Sequence, residues 1–345
     1  YLAALLAPAL SLGPQLLGLF WFVAGLAALA WAVWLLVTPS LWRTGGRAMV
    51  GQEESRHADF ATALVIALVF VPTTYSFFVG QVNAFLMLFI VAAFYNLRRN
   101  RQFLSGAFLA VAILIKAAPV LIVAYFLARR KFRALMACGV TTGTIVGATW
   151  PYLGQYVMRF LTDIAPSLYV PVAHPVNQSL NGFFSRLFST SIFAAPVVDA
   201  PQWVGPAVIL AQGVLALIIV VQGYDIWKSP YEPSPLRDGA FLGLIVIFML
   251  IASPRAWENL FLVLAFMYVL VVKHWWTLSR LMRASVVISY CSFVIQRLWD
   301  PFVNAPDHYA WLRGYSIFMS LGLGGALLLF GVLWRIMDIG EVHRV

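Results

Sequence analysis

The sequence predicts an all-α polytopic membrane protein: about nine transmembrane spans plus a re-entrant helix pair. Three observations carry that prediction. Of 345 residues, 62% are hydrophobic. Only 10% are charged, against roughly 25% in a soluble domain, and no soluble fold of this length buries so much apolar side chain. Lys and Arg gather in short turns between apolar runs, which is how membrane helices mark their cytoplasmic ends. The net charge of +10 is therefore a topology signal and calls for no nucleic-acid partner.

Apolar runs over residues 15–38, 59–76, 83–97, 134–152, 207–223, 239–252, 258–272, 284–296 and 314–334 supply the nine spans. Several fall short of the ~20 residues a straight span needs, so they borrow polar or aromatic neighbours or line protein-enclosed water. Residues 2–11, ended by Gly13-Pro14, are too short to span and read as an interfacial helix. Residues 103–128 pose a separate problem. Arg98, Arg99 and Arg101 precede them, Arg129, Arg130, Lys131 and Arg133 follow, and Lys116 and Pro119 interrupt the middle. A single span would put basic clusters on both sides of the membrane. A re-entrant pair of short helices, with Lys116 at the tip, keeps them on one side.

With that choice, 17 of the 23 Lys and Arg lie in loops 39–58, 98–102, 129–133, 224–238, 273–283 and at the C-terminus. The opposite face holds Lys116, Arg159, Arg186, Arg255, Arg297 and Arg313. The bias places Tyr1 outside and Val345 inside. Residues 1–345 then form a single transmembrane domain whose outer face is loops 77–82, 153–206, 253–258 and 297–313. Cys138 and Cys291 fall in apolar runs and read as core cysteines. No Walker A loop, zinc-spacing cluster or dinucleotide fingerprint is present.

Ionisable groups at membrane depth are costly and mark candidate sites. Arg255 and Glu258 stand three apart within MLIASPRAWENLFLVL. If that turn is helical they share a face and pair, either as a structural bridge or with Arg255 gripping a phosphate. Lys116 faces a ligand or ties up carbonyls freed by the helix break. In AHPVNQSLNGF (173–183), His174, Asn177, Gln178, Ser179 and Asn181 suit sugar hydroxyls and suit loop capping equally well. Asn177-Gln178-Ser179 also matches a glycosylation sequon. Asn83 fits a helix N-cap, with Gln81 left open. Trp299-Asp300-Pro301 and Asp307-His308-Tyr309 put acids in the outer loop, each either a base or, as the favoured reading, a turn residue.

The run GQVNAFLMLFIVAAFYNLRRNRQFLSGAFLAVAILIKAAPVLIVAYFLARRKFRAL resembles the core of glycosyltransferase family 87. The likeness rests on the GQVN turn, the basic turn before a small-residue helix, the K-x-x-P break at Lys116–Pro119 and the basic turn at 129–133. NQSLNGFFSRLF resembles the family's outer-loop signature, and SPRAWENLFLVL its SP-x-x-W-x-H-type turn. The similarity covers roughly residues 1–270.

The resemblance implies a GT-C-type helical membrane enzyme. Such an enzyme moves a sugar, most often mannose and sometimes arabinofuranose, from a polyprenyl-phosphate donor to a lipid-linked glycan on the outer face of the plasma membrane. It implies an inverting mechanism in which a carboxylate takes the acceptor's proton and basic side chains stabilise the departing phosphate. On this reading Lys116, Arg255 and Arg297 bind donor phosphate. His174, Asn177, Gln178, Gln81 and Asn83 contact sugar or acceptor, and Glu258 is the candidate acid or base. No metal and no cofactor is expected, because phosphate is a fair leaving group. Two departures stand out. The GT-C base is normally an Asp in the first outer loop, whereas Tyr1-Leu2-Ala3 resembles the start of the second helix. The expectation is a chain lacking its first helix and loop, or an inactive copy. Glu258-Asn259 also replace the pattern's histidine. The rival readings are a transporter or flippase of lipid-linked sugars, a non-catalytic membrane assembly subunit, and another GT-C family of the same topology.

Overall fold

A computed structural model describes residues 13–38, 41, 52–229, 231–303 and 318–342. The helix expected over 2–11, most of loop 39–58, and residues 304–313 with Asp307 and His308 lie outside the described residues, as does the side chain of Asp300. Every regular element among the described residues is helical, and the one extended pairing is an isolated antiparallel bridge between Asn177 and Trp257.

Helix α1 spans Pro14–Val37, with Pro14 in the first turn, where a missing N–H costs nothing. Helices α2 (Gln52–Val69) and α3 (Val71–Phe78) are bent by 65°. Pro72 explains the bend, since it cannot donate into the preceding turn. Phe70, at the corner, is buried against Tyr268, Tyr290 and Phe293. Helices α4 (Asn83–Arg98) and α5 (Gln102–Ile115) are joined by the turn at 99–101. Helix α5 stops at Lys116, whose backbone is extended (φ −142°, ψ 136°). A 3-10 turn over Ala118–Ile122, with Pro119 near its start, leads into α6 (Val123–Ala128).

Helix α7 (Phe132–Arg159) packs on α5 where Gly106 lets the backbones touch; a Cβ there would strike the Ala134 carbonyl and the Cys138 amide. Then come α8 (Leu180–Phe188), α9 (Val204–Lys228) and α10 (Pro235–Ala252). A 3-10 segment over Glu258–Leu264 runs into α11 (Ala265–Lys273), followed by α12 (Arg280–Val303) and α13 (Leu321–Val342).

By length and composition five of the described helices can cross a membrane: α1, α9, α10, α12 and α13. The count is six if the bent α2–α3 pair is one span. The runs expected as spans at 83–97, 134–152 and 258–272 are, in turn, a short helix, a long helix diluted by Gly and Thr, and a 3-10 segment followed by a short helix.

The core is α10 with residues 258–271, nearly all buried. Small residues set its packing, as close helix contact in lipid requires. Gly243 of α10 admits Met267 and Leu333, and Ser289 of α12 donates to the Gly325 carbonyl at 2.7 Å. Helix α9 instead turns Ile209, Leu210, Leu217 and Val220 outward, the surface of a lipid-facing helix. Cys138 is buried as expected. Cys291 is not a core residue; it is exposed on α12, a helix whose span is only one-third buried.

The two basic turns meet at one place. Asp238, fully buried at the start of α10, takes Arg98 at 3.1 Å and Arg129 at 3.0 Å, and accepts from the Tyr125 hydroxyl at 3.0 Å. Glu232 pairs with Arg129 and, at 2.8 Å, with Lys131. Partial burial opposes ionisation of Glu232, but hydrogen bonds and charge from Lys131 and Arg129 prevail and hold its pKa at about 2. The broken pair α5–α6 therefore starts and ends at the same end of the bundle, with Lys116 at its far tip. Asn100 and Arg130 close α4 and α6 with left-handed backbones, φ 58° and 52°.

Candidate functional site

Helix α4 is 16 residues long, so its two ends lie roughly 24 Å apart. At the end away from Asp238, Val82 takes the capping position. Asn83 is the first helical residue and caps nothing. Its buried side chain is freed to join four segments. The Asn83 amide donates to the Asn259 carbonyl (2.9 Å), to Asn259 Oδ1 (3.3 Å) and to Ser76 Oγ (3.2 Å). Its oxygen accepts from Lys116 Nζ at 2.9 Å. The helix break places the lysine here: α5 and α4 run side by side, and α5 ends level with the start of α4. No carboxylate among the described residues lies within ion-pair distance of Lys116.

Asn259 also lines a polar cavity of about 350 Å³, together with Tyr75, Val79, Gln81, His174, Val176 and Trp257. The His174 ring meets Trp257 edge-on at 5.6 Å and Phe193 at 4.5 Å. The Arg297 guanidinium lies 4.2 Å from the centre of the Tyr75 ring. Aromatic faces, amides and nearby cations make a wall that can stack on a sugar ring, bond its hydroxyls and attract an anion.

One wall is a clasp between residues 174–186 and the turn after α10. Gln178 N donates to the Ala256 carbonyl (2.8 Å) and Glu258 N to the Val176 carbonyl (3.1 Å). Asn177 Oδ1 accepts from Ala256 N (3.1 Å) and Ser179 N (3.3 Å), and its amide reaches the Val172 carbonyl at 3.2 Å. Gln178 donates to the carbonyls of Pro175 (2.5 Å) and Met319 (2.7 Å) and accepts from Leu323 N (3.1 Å). Ser179 caps α8, accepting from Gly182 N at 3.0 Å. Arg186, 1% exposed, donates to the carbonyls of His174 (2.9 Å) and Asn177 (3.1 Å), and to Ser320 Oγ at 2.7 Å.

The structure therefore sorts the residues singled out from sequence. Gln81 and His174 line the cavity. Asn83 and Lys116 adjoin it through Asn259, and Arg297 through Tyr75. Asn177 and Gln178 are fully buried, with their amides taken up by backbone. The shared face expected for Arg255 and Glu258 does not form, because residues 253–257 are not helical. Arg255 donates to the Ser167 carbonyl at 3.3 Å and is absent from the cavity lining. Glu258 is 1% exposed at the start of the 3-10 segment, between two cavity residues. Asn259, Tyr75 and Trp257 were not singled out as site residues. A lone amide opening the apolar run NLFLVLAF was the available signal for Asn259. No group of three or more His, Cys, Asp or Glu suited to a metal occurs among the described residues.

The family model described as glycosyltransferase family 87 matches residues 1–254. A polyprenol-phosphate-mannose-dependent alpha-(1-2)-phosphatidylinositol pentamannoside mannosyltransferase from Mycolicibacterium smegmatis is 26% identical over 68% of this chain and 53% of its own length. Its namesake from Mycobacterium tuberculosis is 28% identical over 71% of this chain and 50% of its own length. The chain thus spans about half the length of the curated relatives it matches. No solved structure matches it.

Proposed function

This chain belongs to glycosyltransferase family 87, and we propose that it transfers mannose from a polyprenyl-phosphate donor to a lipid-linked acceptor at the extracytoplasmic face of the plasma membrane. The observation that carries the reading is Lys116. It is a cation with no carboxylate at ion-pair distance among the described residues, held by Asn83 beside a polar, aromatic-lined cavity. The names of the relatives supply the donor. The position of the cavity at the end of α4 away from the basic turns supports the outer face, by the cytoplasmic bias of Lys and Arg.

In the proposed reaction an acceptor hydroxyl attacks the anomeric carbon with inversion. The bond from that carbon to the phosphate oxygen breaks, and the electron pair leaves on the lipid phosphate. Lys116 and Arg297 stabilise that charge. Gln81, His174 and Trp257 hold the sugar, while Asn83, Asn177 and Gln178 fix the wall and the lysine. The acceptor's proton goes to Glu258 or to a carboxylate outside the described residues, and Glu258→Gln separates the two.

The test supplies the full-length protein in vesicles with radiolabelled polyprenyl-phosphate-mannose and a mannolipid acceptor. Labelled mannolipid is the expected product. Absence of transfer to that acceptor and to an arabinan acceptor overturns the proposal.

A further inference from the structure

Two kinds of cation stand at the Asp238 end of the bundle. Arg98, Arg129 and Lys131 are matched by Asp238 and Glu232. Arg130, Arg133 and Lys228 are exposed, and no carboxylate among the described residues comes within ion-pair distance of them. These three gather around one aromatic side chain. Arg130 leaves α6 with a left-handed backbone, and its guanidinium carbon lies 4.8 Å from the centre of the Trp227 ring. Phe132, the first residue of α7, meets the same ring edge-on at 6.1 Å. Lys228 follows Trp227 in the chain, and its ammonium lies 4.4 Å from the centre of the Tyr224 ring. Arg133 follows Phe132. The start of α7 adds to the positive charge. No side chain caps it and its first turn holds no acid, so the positive end of a 28-residue helix opens here as well.

The surroundings decide which anion fits. Trp227, Tyr224 and Phe132 are themselves exposed, at the end of α9, a helix long and apolar enough to cross a membrane. Tryptophan and tyrosine at the end of a span mark headgroup depth. Along both helices away from this end the surface is aliphatic. Val220 stands four residues before Tyr224 on α9, and Met136 and Val140 stand four and eight residues after Phe132 on α7. All three are exposed, on the helix faces that carry the aromatics. Cations, then aromatic rings, then bare aliphatic side chains follow the order of phosphate, glycerol and acyl chain. We propose that this corner binds an anionic phospholipid of the surrounding leaflet, its phosphate between Arg130, Arg133 and Lys228 and its chains along α7 and α9. A soluble acidic partner leaves the aliphatic faces unused, and a free phosphate leaves the rings unused as well. The corner lies at the opposite end of α4 from the polar cavity and takes no part in the reaction proposed above.

The test uses the full chain in neutral detergent, with native mass spectrometry counting the phosphatidylglycerol and phosphatidylcholine retained from an equal mixture. Wild type should favour phosphatidylglycerol at least about fivefold, the worth of one basic side chain at an anionic headgroup. Arg130→Gln, Arg133→Gln and Lys228→Gln should each lower that preference, and the triple variant should abolish it. Their melting temperatures should stay near wild type, as for exposed positions. Lys228→Gln alone keeps the test readable if the triple variant unfolds. Arg159→Gln removes an exposed cation at the other end of α7 and should leave the preference unchanged. Arg101→Gln removes an exposed cation at the same end, away from Trp227, and should also leave it unchanged. Equal retention of the two lipids by wild type, or an intact preference in Lys228→Gln and the triple variant, would overturn the proposal. So would a loss in Arg101→Gln as large as in Arg130→Gln, which means a diffuse field and no seat. Full displacement of phosphatidylglycerol by millimolar inorganic phosphate would sink it too, in favour of a phosphate site.

Discussion

The two ends of α4 handle positive charge in opposite ways. At the Arg98 end, two arginines and a lysine are matched by Asp238 and Glu232, with a tyrosine hydroxyl completing the set. At the Asn83 end, Lys116 rests on an amide oxygen, Arg186 on carbonyls and a serine, and Arg255 on a carbonyl. Neutral oxygens orient a cation without cancelling it. The first end is a closed structural joint, whereas at the second these three cations rest on uncharged oxygens.

The contrast can be broken at either end. The largest effect should come from Asp238→Ala, which strands Arg98 and Arg129 in a buried place. A loss of roughly 3–5 kcal/mol is expected, read as thermal unfolding in detergent. A variant as stable as wild type would remove the joint. Asn83→Leu at the other end takes away the acceptor of Lys116 and the donor to Asn259. About 1–3 kcal/mol of stability should be lost, as for an unsatisfied buried polar group, and Asn83→Asp should recover part of it by pairing with the lysine.

Lys116→Ala strands the buried Asn83 oxygen and should cost about 1 kcal/mol of stability, and it should weaken polyprenyl-phosphate-mannose binding about tenfold, the worth of a single charge-assisted contact. Equal affinity in titration would take Lys116 out of the site. Arg255→Ala should change donor affinity by less than about twofold, since its guanidinium is on the Ser167 carbonyl.

The smallest effect concerns pH. Glu232 has a folded pKa of about 2, below its ordinary value near 4.5. Its contribution is therefore complete above that ordinary value and fades as pH falls toward 2. Melting curves from pH 6 down to 2.5 should show the decline in wild type and a shallower one in Glu232→Gln.

Much of this frame is legible in sequence because it follows from hydropathy and charge, which act through solvent. The basic runs around residues 103–128 demand a hairpin, and Arg98 and Arg129 do meet at Asp238. Lys116 and Pro119 mark the break where it occurs. The identity of the acid that joins the turns is less legible, since Asp238 lies over a hundred residues from both arginines. The cavity wall was least legible. Asn177 and Gln178 have the chemistry of sugar-binding amides and of backbone clasps alike, and only their folded contacts with the backbone of Val172, Ala256, Pro175 and Met319 show the amides engaged. Arg255 and Glu258 share a face only if their turn is helical, and residues 253–257 are not. Asn259 drew notice as a departure from a family pattern, while its value lies in a contact 176 positions away.

That contact has a bearing on biogenesis. Asn83 and Asn259 can meet only after the intervening chain has left the ribosome and entered the membrane, and the Asn177–Trp257 bridge waits on the same event. Such long-range closures come late in folding. The hairpin α4–α5 and its Lys116 tip can be in place early, yet the cavity stays unbuilt until residues 253–259 arrive. A nascent chain halted before that turn would hold its lysine without the Asn259 and Trp257 side of the cavity.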